Sequence, residues 1–122
     1  MISCAAKIGL TIGYLIPESD PADNRKNKTA LKQLSRKKGF RAIQFVIESE
    51  SPVKPWQQRT LKKIIDQLQK GDRLLVTEVY KIGRTGLEAY EIMRAMQAKG
   101  IQVYSVKGAW EFNGIFRFPA GG

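Results

Sequence analysis

Apolar residues are concentrated in short segments that alternate along the chain between two patterns. One is a nearly continuous apolar run, typical of strands buried on both faces of a parallel sheet. It occurs four times, at residues 8–16, 41–48, 73–79 and 101–106. The other pattern is helical and occupies the intervals between these runs. The order β-α-β-α-β-α-β predicts an α/β fold of three layers, in which helices flank a mainly parallel sheet of four or five strands.

The first predicted helix follows a polar, proline-containing loop at residues 17–24. Its inward residues are Ala30, Leu31 and Leu34. The helical pattern covers residues 26–38, and a glycine directly after it favours termination there.

The second and third predicted helices have clearer boundaries. Pro55 suits a first helical position, and Gly71-Asp72 ends the second helix. Thr85 and Glu88 have the spacing of a capping box, which places the start of the third helix there, and Gly100 closes it. The second helix is expected to direct four residues inward: Leu61, Ile64, Ile65 and Leu68. The third is expected to bury four residues that recur every three positions: Leu87, Tyr90, Met93 and Met96.

The length of 122 residues suits a single domain spanning residues 1–122. Residues 110–118 provide a candidate short edge strand, and residues 119–122 are expected to fray.

Composition narrows the chemistry. There is no histidine, and Cys4 is the only cysteine, so an internal disulfide, His-based zinc sites and Ser-His triads are excluded. Glu18, Asp20 and Glu78 are candidate ligands for a divalent metal, but solvated carboxylates are the commoner interpretation in so basic a chain. We therefore expect no metal and no cofactor, and chemistry based on hydroxyl, carboxylate, lysine or arginine groups.

The beginning of the chain lacks the charge pattern of a signal peptide, and no segment approaches the length of a membrane span. We expect a cytoplasmic protein that has no membrane partner.

Charge predicts the kind of partner. Lys and Arg total 21 against 11 Asp and Glu, a net charge of +10, which favours a polyanion such as nucleic acid over a generic basic surface. The densest basic stretch lies on and just before the first predicted helix. Its predicted DNA-binding residues are Arg25, Lys26, Lys28, Lys32 and Arg36. A solvated basic face is the alternative interpretation.

Candidate site residues lie in loops that follow strands, where parallel α/β folds place their ligands. Ser19 is a candidate nucleophile or, alternatively, a turn serine that caps a backbone amide. Arg84 precedes the start of a helix, a position suited to an anion, and Lys81 lies three residues earlier. Trp56 is either a core residue or a support for Arg59. No aspartate follows the third strand, which excludes a phosphoacceptor receiver domain.

Three stretches resemble one known family, the serine site-specific recombinases (resolvases and DNA invertases). The most specific is Gly-Asp-Arg-Leu-Leu-Val-Thr-Glu-Val-Tyr-Lys-Ile-Gly-Arg at residues 71–84. The others are residues 53–59 and 98–110, and the similarity extends from residue 13 to residue 106. The resemblance implies a catalytic domain in which a serine attacks a DNA phosphate and forms a phosphoserine linkage. It also implies that arginines stabilise the phosphate and the leaving oxygen, and that subunits rotate within a tetramer and religate the DNA. We therefore expect a homo-oligomer (dimer or tetramer) or an assembly with other recombinase subunits.

Carried over by position, Arg84 matches the last arginine of the family's Leu-Gly-Arg turn, and Lys81 stands where that turn has its first arginine. Arg59 matches the arginine of the second helix, although alignment on Leu61 alone would place Gln58 there. The predicted catalytic residues are therefore Ser19, Arg59, Lys81 and Arg84. The long dimer helix and DNA-binding domain of the family are expected to be absent from this chain.

The first loop departs from the family's Tyr-x-Arg-Val-Ser-Thr. Without a gap, Glu18 falls at the nucleophile and Ile16 at the first arginine, and Ser19 is the nucleophile only with a shift of one residue. Tyr80 stands where the family has aspartate. The alternative function is a non-catalytic resolvase-like domain that binds DNA or pairs with other recombinase subunits.

Overall fold

The computed structural model describes residues 9–40 and 42–107, together with the backbone of a short strand at residues 111–112. The elements follow in the order β1 (Thr11–Leu15), α1 (Pro21–Lys37), β2 (Ile43–Ile47), α2 (Thr60–Gln67), β3 (Arg73–Val76), α3 (Gly86–Lys99), β4 (Gln102–Ser105) and β5 (Glu111–Phe112). Two 3₁₀ turns, Trp56–Gln58 and Val79–Ile82, precede α2 and α3 respectively. The strand order is β2-β1-β3-β4-β5, and only β5 runs antiparallel to its neighbour. The predicted α/β fold with a mainly parallel sheet is confirmed.

The helices divide between the two faces of the sheet. β2 lies to one side of β1, whereas β3 and β4 lie to the other. Because crossovers between parallel strands are right-handed, α1 covers one face, and α2 and α3 cover the opposite face. Leu31 of α1 packs with Leu15 and Leu75 on its side, while Leu61, Ile92 and other residues form the larger core beneath α2 and α3.

α1 begins five residues earlier than the sequence pattern predicts. Asp20 is its N-cap and accepts a hydrogen bond from the amide of Ala22, while Pro21 occupies the first turn. Both are recognised helix-start signals, and the assignment of residues 17–24 to a loop was therefore wrong for its second half. The predicted inward residue Leu31 is fully buried.

α2 also begins differently. Pro55 has an extended backbone and caps the 3₁₀ turn, so it is not a first residue of the α-helix. The helix also ends at Gln67, so its predicted end at Gly71-Asp72 was wrong, and Leu68 has an extended backbone at the C-cap. The four predicted inward residues are nevertheless all buried.

The predicted inward face of α3 was half wrong. Met93 and Met96 are buried, but Leu87 is 71% exposed and Tyr90 is 39% exposed. A stripe that repeats every three residues drifts around a helix of 3.6 residues per turn and cannot remain on one face. The buried residues follow the helical spacing instead: Ala89, Ile92, Met93 and Met96. The N-cap at Thr85 and the left-handed Gly100 that ends the helix are as predicted.

The edge strand expected within residues 110–118 is present as β5, and residues 119–122 lie outside the described part of the chain. Cys4, Arg41 and Trp110 also lie outside it. Among the residues that the structure describes, no helix is long and apolar enough to cross a membrane.

Candidate active site

The candidate site lies at the carboxyl edge of the parallel strands. β1 and β3 are neighbours there, but their chains leave toward helices on opposite faces of the sheet. Parallel α/β folds bind their ligands at such a topological switch point. The loop after β1 carries Ser19, and the segment after β3 carries Lys81 and Arg84.

One buried carboxylate connects two of the four predicted catalytic residues. Glu88, in the first turn of α3, accepts from Arg59 Nη2 at 3.3 Å and from Arg84 Nε at 2.9 Å. Its Oε1 also accepts from the Arg84 backbone amide at 2.8 Å. The predicted capping box is thus modified: Thr85 Oγ1 accepts from the Glu88 amide, but the glutamate side chain returns to residue 84.

Arg59 is only 2% exposed, and its Nη2 donates to the carbonyl of Ile82 at 2.7 Å as well as to Glu88. It therefore supports the 3₁₀ turn that carries Lys81, one residue before Ile82. Trp56 is buried in the core beneath α2 and α3, which confirms its interpretation as a core residue. Its backbone amide also donates to Glu88, at 3.4 Å.

The Glu88 carboxyl is held in its charged form. Burial by itself would raise the pKa, but hydrogen bonds from the backbone and side chain of Arg84 outweigh it, together with the bond from the Trp56 amide and the charge of Arg84. The pKa of Glu88 therefore lies below its ordinary value. A charged carboxylate beside two guanidinium groups keeps both arginines fixed at the start of α3.

Arg84 and Lys81 remain open to solvent. The Arg84 side chain is 43% exposed, and its contacts with Glu88 use Nε and Nη2, which leaves Nη1 available to an anion. Lys81 is exposed and lies 3.7 Å from Glu78, which also pairs with Lys107 at 3.8 Å. This part of the edge can therefore bind a phosphate, with Arg84 just ahead of the α3 N-terminus.

The loop after β1 is ordered around Asn24 of α1. The Asn24 side chain accepts from the Glu18 amide at 2.7 Å and donates to the Glu18 carbonyl at 3.1 Å. Ser19 is exposed, and its hydroxyl has no hydrogen bond within the described residues. The capping role that the sequence offered as an alternative for Ser19 belongs to Asp20 instead.

A second buried carboxylate joins β1 and the loop after β2 to the start of α2. Glu48, directly after β2, accepts from Tyr14 Oη at 2.6 Å and from the amides of Thr60 and Leu61 at the start of α2. Arg59 occupies the N-cap position of α2 without capping it, so Glu48 supplies that function. Burial by itself would raise the pKa of Glu48, but the hydrogen bonds from Tyr14 and from the amides of Thr60 and Glu50 outweigh it, and the net pKa lies below its ordinary value. Burial and the bond to Glu48 raise the pKa of Tyr14.

Neither Glu48 nor Glu88 was singled out from the sequence as a site residue. Glu88 had a signal, because its capping-box position placed it four residues after Arg84. Glu48 had none, since an acidic residue at the end of a strand is most often solvated.

The five predicted DNA-binding cations of α1 are all exposed, and none forms an ion pair within the described part of the chain. Four of them follow each other at three- and four-residue spacing, which places them in one stripe along the helix: Arg25, Lys28, Lys32 and Arg36. Lys28 Nζ lies 5.1 Å from the centre of the Phe45 ring of β2, so this stripe runs beside the edge of the sheet. In residues 9–40 and 42–107, no group of three or more cysteine or acidic residues is arranged to hold a metal ion.

These features define an α/β domain with a basic site at the carboxyl edge of its sheet. The family model for the resolvase N-terminal domain matches residues 18–114, and the chain belongs to that family.

Two known proteins are similar to it. A protein from Clostridium perfringens described as a resolvase is 35% identical over 63 residues, which are 52% of this chain and 33% of that protein. The chain thus spans a minor part of that relative's length. The crystal structure of the C-terminal catalytic domain of ISC1926 TnpA, an IS607-like serine recombinase, has a similar fold. Its TM-score is 0.63 at 19% identity, and the match covers 80% of this chain and 67% of that one.

Proposed function

We propose that this domain is the catalytic domain of a site-specific DNA recombinase, in which Ser19 receives a DNA phosphate. The observation that supports it is the carboxylate-linked pair of Arg59 and Arg84 at the same sheet edge as an exposed serine hydroxyl. The match to the resolvase family and the similarity in fold to a serine recombinase catalytic domain also support this proposal.

The reaction is an exchange of phosphate esters. Ser19 Oγ forms a bond to phosphorus as the bond from phosphorus to a sugar oxygen breaks. The serine proton passes to solvent, and the departing sugar oxygen takes one up. One phosphodiester replaces another, so no external energy source is required, and religation is the same step in reverse. Arginine and lysine supply the charge compensation for the crowded phosphate.

The cationic residues have different roles in this proposal. Arg84 and Lys81 contact the phosphate, because both are exposed. Arg59 is a positioning residue, because its guanidinium is buried and holds Ile82 and Glu88. Lysine at position 81 provides a point charge where arginine would bind two phosphate oxygens at once, so phosphate recognition depends mainly on Arg84.

DNA is the partner, and the exposed cations of α1 provide contacts to its phosphates: Arg25, Lys26, Lys28, Lys32 and Arg36. Strand exchange requires a nucleophile for each cleaved strand. A homo-oligomer, or an assembly with other recombinase subunits, is therefore part of the proposal.

The test is capture of the covalent intermediate. The protein is incubated with a library of nicked random-sequence duplexes and denatured in detergent, and the DNA that stays attached is sequenced. We expect an alkali-labile adduct that peptide mapping places on Ser19 and that Ser19→Ala abolishes. An adduct on another residue would exclude Ser19. The absence of any adduct, with DNA binding intact, would exclude cleavage.

A non-catalytic resolvase-like domain is the second candidate. The position that matches the family's nucleophile holds Glu18, and the position of its first arginine holds Ile16. This candidate predicts that Ser19→Ala leaves DNA binding and subunit pairing unchanged, and that wild-type protein forms no adduct although it binds DNA.

A further inference from the structure

A groove between α1 and β2 adjoins the loop after β1 but is separate from the cluster around Glu88. Its volume is ≈ 370 Å³, and its lining is largely apolar. Leu15, Pro17 and Ile47 form the apolar part, and Arg25 and Lys28 of α1 stand at its rim. Ile47 is 60% exposed, which is unusual for an isoleucine at the end of a strand in a parallel sheet.

β2 is the terminal strand of the sheet, and no described strand pairs with its outer edge. The amide of Glu48 bonds to the carbonyl of Leu15 in β1, and backbone direction alternates along a strand. The amides and carbonyls of Phe45 and Ile47 therefore point away from β1. β2 itself, Ile-Gln-Phe-Val-Ile, contains no charge or proline of the kind that usually protects such an edge.

These features converge. One side of the molecule combines backbone groups of Phe45 and Ile47 that have no partner among the described residues, an exposed apolar side chain, and two cations without an ion pair in the same part of the chain. Backbone pairing with a strand edge requires an extended polypeptide. The apolar part of the groove favours aliphatic side chains on that polypeptide, and the cations at its rim favour acidic ones.

We propose that this groove docks an extended acidic peptide of a partner protein, which adds a strand to β2. A second copy of this chain fits poorly, because pairing two β2 edges would bring two basic α1 stripes together in a chain of net charge +10. DNA fits this groove poorly, because a duplex backbone presents phosphate acceptors but no N–H donors for a strand edge, and its phosphates would face Ile47. Arg25 and Lys28 are shared with the proposed DNA surface, so the peptide and DNA would compete for them. The inference is independent of whether Ser19 is catalytic.

The test uses a fluorescein-labelled octapeptide in which aspartate alternates with valine and isoleucine. We expect saturable binding by fluorescence anisotropy, with the amide NMR signals of Phe45 and Ile47 among those that shift most. Lys28→Glu should weaken binding about tenfold, because it reverses a charge at the rim. Arg25→Glu is the second rim variant and should act alike.

Lys26→Glu is the matched control, since it makes the same charge change on the same helix but lies outside the lining of the groove. It should alter binding less than about twofold. A peptide N-methylated at alternate amides, and one with lysine for aspartate, should not bind. Equal losses in Lys26→Glu and Lys28→Glu, or unchanged binding of the N-methylated peptide, would overturn the proposal. So would a DNA duplex that shifts Phe45 and Ile47 when the peptide does not.

Discussion

At the scale of single residues, Arg59 and Glu88 depend on each other because both are buried. A buried ion pair adds little stability compared with apolar packing of the same volume. Removal of one partner, however, leaves an uncompensated charge in the protein interior. Arg59 Nε is buried and has no hydrogen-bond partner among the residues that the structure describes. The pair therefore serves to fix the turn before α3 more than to add stability.

Glu88→Ala should destabilise the domain by about 3–5 kcal/mol, because it leaves the Arg59 guanidinium uncompensated. Urea unfolding measures this. Asp66→Ala, which breaks the exposed Lys62–Asp66 pair within α2, is the control and should cost less than about 1 kcal/mol. If Arg59→Met restores much of the stability lost in Glu88→Ala, the buried charge is confirmed as the cause. Simple addition of the two losses would contradict it.

Acid should destabilise the fold through Glu48 and Glu88. Both have folded pKa values below the ordinary 4.5, so their stabilisation is complete above that pH and is lost as the pH falls through the folded pKa. Unfolding midpoints in urea from about pH 6 to about pH 3 should therefore fall more steeply in wild type than in Glu88→Gln. Glu91→Gln, an exposed change on the same helix, should keep the wild-type slope. Parallel slopes for all three proteins would refute the assignment.

At the scale of elements, the 3₁₀ turn Val79–Ile82 and the start of α3 position the two exposed cations of the site. Gly83 connects the turn to the helix, and its backbone lies very close to α3: a Cβ at this position would be within 3.0 Å of the Ala89 backbone. Glu88 ties the same junction to Arg59 and the start of α2. The geometry of Lys81 and Arg84 thus depends on contacts between three elements.

Gly83→Ala should cost about 1–3 kcal/mol, because the added methyl group displaces backbone and not a flexible side chain. It should also weaken DNA binding and any adduct formation by moving Arg84. Gly86→Ala is the matched control, since nothing lies within 4 Å of a Cβ at that position in the first turn of α3. It should leave stability equal or raise it by about 0.5–1 kcal/mol. Equal effects of the two substitutions in thermal unfolding would show that the close approach is unimportant.

At the scale of the whole molecule, positive charge is concentrated rather than uniform. The α1 stripe lacks ion pairs within the described residues, whereas the lysines and arginines near the site are paired with Glu78 or Glu88. When a lysine or arginine without an ion pair binds a DNA phosphate, counterions are released from the DNA. A cation that already has a carboxylate partner must first break that ion pair. The long-range attraction of this domain for DNA is therefore expected to centre on α1.

DNA affinity should fall steeply with added salt, and Lys32→Gln should reduce the slope of log affinity against log salt by about 0.9. Lys63→Gln on α2 removes an exposed lysine from the opposite face and should leave the slope unchanged. Fluorescence anisotropy over a salt series measures both. A slope near zero in wild type, or equal changes in the two variants, would indicate that the charge of α1 does not contact DNA.

The order of elements, the parallel sheet and most of the core follow from local patterns in the sequence, because each element must bury its own apolar residues. The buried face of α2 illustrates this, since the spacing of Leu61, Ile64 and Ile65 alone specified it. The sequence also pointed to Arg59, Lys81 and Arg84, through motifs that resemble the family.

The hydrogen bonds and ion pairs between distant elements depend on the tertiary structure. Glu88 is far from Arg59 in sequence, and Glu48 meets Tyr14 and the start of α2 only after β1 and β2 align. Hydrogen bonds between distant elements depend on the relative placement of those elements, which a local pattern does not encode. The same reason explains why Leu87 and Tyr90 were predicted to be inward but are exposed: periodicity indicates a helix, while packing against the sheet selects its buried side.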